Sequence, residues 1–417
     1  MERLLHYVWA HRLFPAAGLV TTDGETVRVL SPGLHNKDAG PDFYSADVVI
    51  GTQDWMGTVE IHTRSSDWYR HSHHTDPAYN NVILHVVEQA DREVQTQSGR
   101  TVPQVVVTVP DHVVSHYEQL QAVVDTPPCH SRVADEPPFL VKQWLSRLGR
   151  ERLERKAADV MQRVQQCNYD WEHAFFITLA RAFGFGINAD AFEHWARTIP
   201  YSGAAKHRDN LFQIQALFLG QAGFLDISQG EEVSILFEDK QADATKQFSQ
   251  LCSEYHFLAG KFGLTPLSVH RWRFMRTRPQ SFPTVRLMQL AKLYCEGDVS
   301  LSAMVDCHSA ADAMQLLTRG TGRRLSQFAA EGIIINAVVP VLYAYGRYRS
   351  TPSLSNRVGQ WLTQLTAERN RYVQHWQQCG MPVSTAADSQ AVVQLATRLC
   401  ERRDCLRCWL GQRYLKS

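Results

Sequence analysis

The sequence predicts an α/β domain over residues 1–125, a mixed sheet with flanking helices, followed by a large mainly α-helical domain over 126–417. Three observations carry this prediction. Between residues 26 and 109 the chain is a succession of short β-branched runs bounded by turn residues. Prolines gather at Pro127, Pro128, Pro137 and Pro138, where the texture changes. Beyond them apolar residues recur at helical spacing.

Taken in order, the elements are these. Leu4, Leu5, Val8, Trp9 and Leu13 lie near one helical face, which predicts an amphipathic opening helix over 2–14. Val27-Arg28-Val29-Leu30, Ala46-Asp47-Val48-Val49-Ile50, Gly57-Thr58-Val59-Glu60-Ile61-His62, Asn81-Val82-Ile83-Leu84-His85-Val86-Val87 and Val105-Val106-Val107-Thr108-Val109 read as strands. The second and third of these can pair through a turn in 51–57. Asp76-Pro77 has the form of a helix cap followed by proline at the first helical position. After the prolines, residues 141–166 form a long charged helix, and Asp170-Trp171-Glu172 opens another.

Bulk properties narrow the class. With 44% hydrophobic and 20% charged residues, the chain is neither disordered nor low in complexity. Its longest apolar stretch, 333–345, is short and contains Asn336 and Pro340, so it reads as a buried core segment and no membrane partner is expected. The first residues carry charges and histidine where a secretory signal needs an apolar run, so a cytoplasmic location is expected. Nine cysteines, an odd number, suit unpaired thiols better than a disulfide framework.

Charge is unevenly divided. Residues 1–125 hold 8 Lys and Arg against 16 Asp and Glu, and the remainder holds 35 against 26, so a net +1 splits into −8 and +9. Ten of the 18 histidines also lie in the first 125 residues. An acidic, histidine-rich part suits cation binding, and a basic part suits an anionic partner such as nucleic acid, DNA or RNA. Domain packing alone is the other explanation of the imbalance.

The chemistry is concentrated between Gly40 and Val87. Residues two apart on a strand share a face, so Glu60 and His62 point one way and Val59 and Ile61 the other. Asp42 precedes the strand that pairs with theirs, which can bring Asp42, Glu60 and His62 to one end of a sheet. Two carboxylates suit a hard cation such as Mg²⁺ or Mn²⁺. Such an ion polarises a phosphoryl oxygen and acidifies a bound water, which a third group beside it can orient.

Pro41-Asp42, a spacer and Glu60-Ile61-His62 resemble the signature of the PD-(D/E)XK nuclease superfamily. The resemblance implies a restriction-endonuclease-like fold and a metal-dependent nuclease, with Asp42 and Glu60 as metal ligands and catalytic groups. His62 stands at the position where that superfamily has a lysine that assists the attacking water. The segment Trp68-Tyr69-Arg70-His71-Ser72-His73-His74 is similar to the tryptophan- and histidine-rich stretch of very-short-patch repair endonucleases. Over the whole chain, Gly33-Leu34-His35-Asn36, Asp38-Ala39-Gly40-Pro41-Asp42-Phe43, Val59-Glu60-Ile61-His62, Ser65-Ser66-Asp67-Trp68, Tyr79 to Val87, Phe282-Pro283-Thr284-Val285-Arg286-Leu287 and the cysteine-containing C-terminus resemble the bacterial domain-of-unknown-function family 2851. His35, Asp67, His73 and His85 are accessory candidates within these stretches.

Plainer roles stand beside these. Asp42 can make an Asx turn, and Asp38, Asp67 and Asp76 can cap or turn the chain. A buried Glu60 is harder to account for without a partner or a cation. His85 fits a hydrogen-bonded core histidine, and His71, His73 and His74 fit a solvated loop. Without catalysis, the same domain would be a binding module for nucleic acid or protein that keeps a nuclease-like fold. A zinc hydrolase built on the histidines is a third reading, and the carboxylates argue against it. Cys400, Cys405 and Cys408 form C-x4-C-x2-C, with Cys379 as a candidate fourth ligand for zinc or an iron–sulfur cluster. They can equally be a stripe of buried thiols on one helix. Arg276, Arg278 and Arg286 can touch phosphates or form structural ion pairs.

Overall fold

Seven strands between Leu19 and Val106 form one mixed sheet. The structure is a computed structural model, and it describes all residues except 15–17, 37, 123–125, 226–241, 276, 298 and 322–324. It separates into two compact units, one of residues 1–137 with 397–417 and the other of residues 138–396. The chain is therefore a mixed-sheet α/β unit with helices and a mostly helical unit.

The first unit opens with α1 (Glu2–Ala10), whose Leu4, Leu5, Val8 and Trp9 are buried at the spacing the sequence predicts. The strands are β1 (Leu19–Val20), β2 (Thr26–Ser31), β3 (Leu34–His35), β4 (Phe43–Ile50), β5 (Gln53–Arg64), β6 (Val82–Gln89) and β7 (Gln104–Val106). The order is β1-β2-β4-β5-β6-β7, with β3 paired to β4. Pairings up to β4–β5 are antiparallel, while β5–β6 and β6–β7 are parallel. An isolated bridge between Thr21 and Val105 joins the two ends of this order.

Two backbone features set the register at the site. The β4–β5 hairpin turns in two residues, Gly51 and Thr52, and Gly51 takes φ +60° as such a tight turn requires. The turn is shorter than the sequence suggests because Gly57 lies inside β5. A Cβ on Gly57 would lie 2.4 Å from Ile83 Cγ2 and 2.8 Å from the Asn81 carbonyl oxygen, so β5 and β6 come together where only a glycine fits. Further along, the pairing shifts between Phe43–Val59 and Ala46–Gly57, and Ser45 takes φ +54° in that bulge. Bulges of this kind re-aim the chain near functional sites.

Burial explains the texture of the strands. Val82 to Val87 are all buried, because β6 has a neighbour on each side and both its faces are covered. The helix α2 (Asp67–Arg70) lies in the β5–β6 crossover, and α3 (Asp111–Gln121) and α4 (Arg132–Asp135) follow the sheet. The helix Trp409–Leu415 packs against α3, against α4 and against the 3-10 turn Pro128–Ser131.

The helical unit begins with α5 (Pro138–Gln166), whose Val141, Trp144, Leu145, Leu148, Leu153, Ala157, Val160 and Val164 form one buried stripe. Next comes α6 (Trp171–Phe183), capped by Asp170 accepting the His173 N–H at 3.0 Å. The helical run Gln327–Tyr348 is long and apolar enough to span a membrane, and most of it is buried inside this unit. Its middle, Ile334–Val338, is a π-helical turn just before Pro340.

Candidate metal centre

The site is built on β5. In the parallel β5–β6 register Glu60 faces His85 and His62 faces Val87, which puts the Glu60, His62 and His85 side chains on one face. His62 Nδ1 is 2.9 Å from His85 Nε2. Asp42, just before β4, is tied to β5 in both directions. Its backbone N–H donates to Glu60 Oε2 at 3.0 Å, and its own Oδ2 accepts the Ile61 N–H at 3.0 Å. Each carboxylate thus spends one oxygen on the backbone.

Two further histidines come from the crossover. α2 ends at Arg70, and Ser72 takes φ +63°, which turns His71 and His73 back toward β5. His71 Nδ1 lies 3.1 Å from His62 Nε2. Glu60 Oε1 lies 3.2 Å from His73 Nε2 and 3.5 Å from His62 Nε2. Ligand atoms of His62, His71 and His73 all fall within 4.8 Å of one another, the one such group of His, Cys, Asp and Glu among the described residues. His71 is exposed and the other two are buried, so the group opens to solvent through His71. The ring of His73 stacks on Tyr79 with centroids 3.8 Å apart.

Electrostatics follow from burial. Glu60 is 5% exposed, and burial pushes its carboxyl above the usual range, opposed by His73 and reinforced by Asp42. His62 is pushed down to about 2 by burial, then by its histidine neighbours His85, His73, His71 and His6. His85 is pushed down to about 3, again chiefly by burial. Both are neutral imidazoles at any working pH. His6 of α1 reaches Asp42 Oδ2 at 3.3 Å. Burial opposes its charge, yet the hydrogen bond and charge of Asp42, with Glu2 and Glu60, raise its pKa overall.

Other sequence candidates are placed as follows. Asp67 Oδ2 accepts the Arg64 N–H at 3.2 Å, and its Oδ1 pairs with Arg70 at 3.1 Å, so it shapes the β5–α2 corner. Asp76 caps the short turn Pro77–Tyr79 by accepting the Ala78 N–H. His35 is exposed on β3, its ring against His6 and Phe43. Cys379 lies in the helical unit, 3.9 Å from His375 Nε2, whereas Cys400, Cys405 and Cys408 belong to the first unit. Arg286 is buried against Phe185 and donates to Gln289 and Ser281; Arg276 lies outside the described residues. Sequence reasoning passed over His6 and Tyr79, which no spacing links to the motif.

The helical unit has its own polar feature. A cavity of about 550 Å³ is lined by six Arg and Lys side chains against three carboxylates. At its wall Lys156 Nζ donates to Asn336 Oδ1 at 2.7 Å and Gln390 Oε1 at 2.8 Å, beside the π-helical turn. Burial pushes the Lys156 ammonium down to about 7.

Fold and site define a mixed-sheet protein with a histidine–carboxylate centre on two parallel strands. The family model described as "Protein of unknown function (DUF2851)" matches residues 2–323, and the chain belongs to that family. No curated protein and no solved structure matches it.

Proposed function

We propose that this chain is a divalent-metal-dependent phosphodiesterase that cleaves nucleic acid, with its site on β5. One observation carries the reading: three histidine nitrogens gather at a solvent-open point of the sheet, with Glu60 Oε1 against two of them and Asp42 tied to Glu60 through its backbone N–H. The pairing order supports the nuclease likeness. An antiparallel hairpin has Asp42 at its start and Glu60-Ile61-His62 on its second strand, and a crossover leads to the parallel β6. The basic balance of residues 126–417 and the cation-lined cavity suit a phosphate-bearing partner.

The residues fit a metal ion. Glu60 keeps Oε1 off the backbone, and the buried His73 Nε2 faces it at 3.2 Å, so an ion between them would find both a nitrogen and an oxygen donor. Glu60 and the nitrogens of His62, His71 and His73 would hold the ion, and Asp42 would hold it or its water. The mixed nitrogen and oxygen donors suit Mn²⁺ or Zn²⁺ better than Mg²⁺. When bound, such an ion polarises a phosphoryl oxygen and lowers the pKa of water. His62, being neutral, does not supply the fixed charge of a lysine; it positions water or ligates. His6 beside Asp42 holds the carboxylate in place and gives up or takes a proton at Nε2.

A second reading rests on His62 itself. Both its nitrogens already face histidine nitrogens, as in a satisfied structural histidine, and this favours a binding module that has lost catalysis. Cleavage assays on single- and double-stranded DNA and RNA with Mn²⁺, Zn²⁺ or Mg²⁺ separate the two. The expected result is metal-dependent cleavage that drops by about 100-fold or more in Asp42→Ala and Glu60→Ala, while binding persists. Absence of cleavage with every metal, together with unaltered binding by Glu60→Ala, would select the binding module.

A further inference from the structure

A second group of chemistry-bearing residues lies in the first unit, apart from the histidines. Cys400 ends a one-turn π-helix, after which the chain reverses with Arg403 N–H on the Cys400 carbonyl at 3.0 Å and Asp404 N–H on the Leu399 carbonyl at 2.9 Å. Cys405 opens a 3-10 turn that closes by the Cys408 N–H on the Cys405 carbonyl at 3.2 Å. Cys408 then caps the helix Trp409–Leu415. A Cβ on Gly411 of that helix would lie 2.5 Å from the Cys405 carbonyl oxygen, so the turn is folded tightly onto the helix. The 3-10 turn Pro128–Ser131, which carries Cys129, packs against the same helix.

Four thiols from three separate turns are thus gathered around one short helix. Cys129 and Cys408 are each 5% exposed. The Cys400 thiol is pushed well above its usual range by burial, then by Cys408, Cys129 and Cys405 in turn. Cys405 is pushed up to about 11, by burial and then by Cys408. No disulfide is formed among the nine cysteines. Four cysteines on turns folded against one helix, two buried and two partly buried, present a set of soft sulfur donors suited to a metal centre.

We propose that Cys129, Cys400, Cys405 and Cys408 ligate an iron–sulfur cluster, each thiol losing its proton to become a thiolate on one iron of a four-iron centre. The set differs from the one the sequence spacing suggests, since Cys129 and not Cys379 completes it. Spacing decides the kind of metal. A single zinc ion with four sulfurs at about 2.3 Å needs the sulfurs roughly 3.8 Å apart. Among the described residues no three of these sulfurs fall within 4.8 Å of one another, as the three histidine ligands do. Thiolates that each bind a different iron stand further apart than thiolates sharing one ion. The centre would fix the three turns to one another, and it is independent of the proposal for β5.

The test is the metal content of the full chain purified without oxygen. About four irons and four acid-labile sulfides per chain, with broad visible absorption, are expected. Cys129→Ser and Cys400→Ser should lose the iron, and Cys379→Ser should keep it. If Cys129→Ser does not fold, thiol titration of the native wild type before and after chelation serves instead, and four further reactive thiols are expected. One zinc per chain, absence of both iron and sulfide, iron retained by Cys129→Ser, or no thiols released by chelation would each overturn the cluster.

Discussion

Glu60 is held between opposed influences, and that makes it the most informative single residue. Burial and the Asp42 carboxylate disfavour its charge, while His73 and the Asp42 backbone N–H favour it. A cation settling at Oε1 would resolve the conflict by stabilising the carboxylate. His62 is the discriminating partner. Replacing it with lysine puts a charge where burial already drives an imidazole down to about 2, and breaks the contacts to His85 and His71. His62→Lys should therefore lower metal-dependent cleavage by about 100-fold. Retained cleavage would instead mean that His62 only positions water electrostatically. Lys156 offers a separate test by pH. Its folded pKa, about 7, lies below the unfolded value near 10.5, so between these the unfolded chain binds more protons. Stability should rise with pH across that window, because the penalty for a buried ammonium is full below pH 7 and gone above 10.5. Lys156→Met should flatten the rise in urea midpoints measured across it, and an unchanged slope would assign it to other groups.

Among elements, the β5–β6 pair does the positioning. Its parallel register places Glu60 against His85, and the close approach at Gly57 begins that register. Gly57→Ala forces a Cβ into Ile83 Cγ2 and the Asn81 carbonyl, and the second of these is backbone. The variant should lose about 1–3 kcal/mol of stability in urea unfolding. In an Ile83→Ala background, which itself loses core burial, Gly57→Ala should cost less than in the wild type but still something, since the carbonyl remains; no cost there would show that the side chain alone sets the spacing. The crossover between these strands contributes differently. Ser72, with φ +63°, adopts a backbone few non-glycine residues favour, and through it His71 and His73 return to β5.

Across the molecule, legibility followed the physics of each signal. Strand alternation is local, so the shared face of Glu60 and His62 could be read directly, as could the buried stripe of α5. The mixed sheet followed by helices was legible from the change of period. His71 and His73 were visible as residues but not as neighbours of Glu60, because a left-handed turn has no period. His6 joins Asp42 only after α1 packs on the finished sheet, and such long-range contacts leave no trace in spacing. The cysteines show both cases. C-x4-C-x2-C was plain, yet Cys129 lies 271 positions before Cys400 and the return of 397–417 to the first unit has no sequence signature.

That return has a consequence for how the protein comes into being. The first unit needs residues 397–417, and 259 residues of the helical unit are synthesised before them. At about 5–20 residues per second, the nascent sheet waits on the order of 10–50 s for its last helix. During that interval Tyr7 lacks the Gln412 carbonyl and Gln119 lacks the Tyr414 hydroxyl. A message broken anywhere within the helical unit yields a chain that carries every histidine and carboxylate of the β5 centre but never receives the segment that finishes its unit. The order of translation thus makes the first 137 residues answerable to residues 397–417.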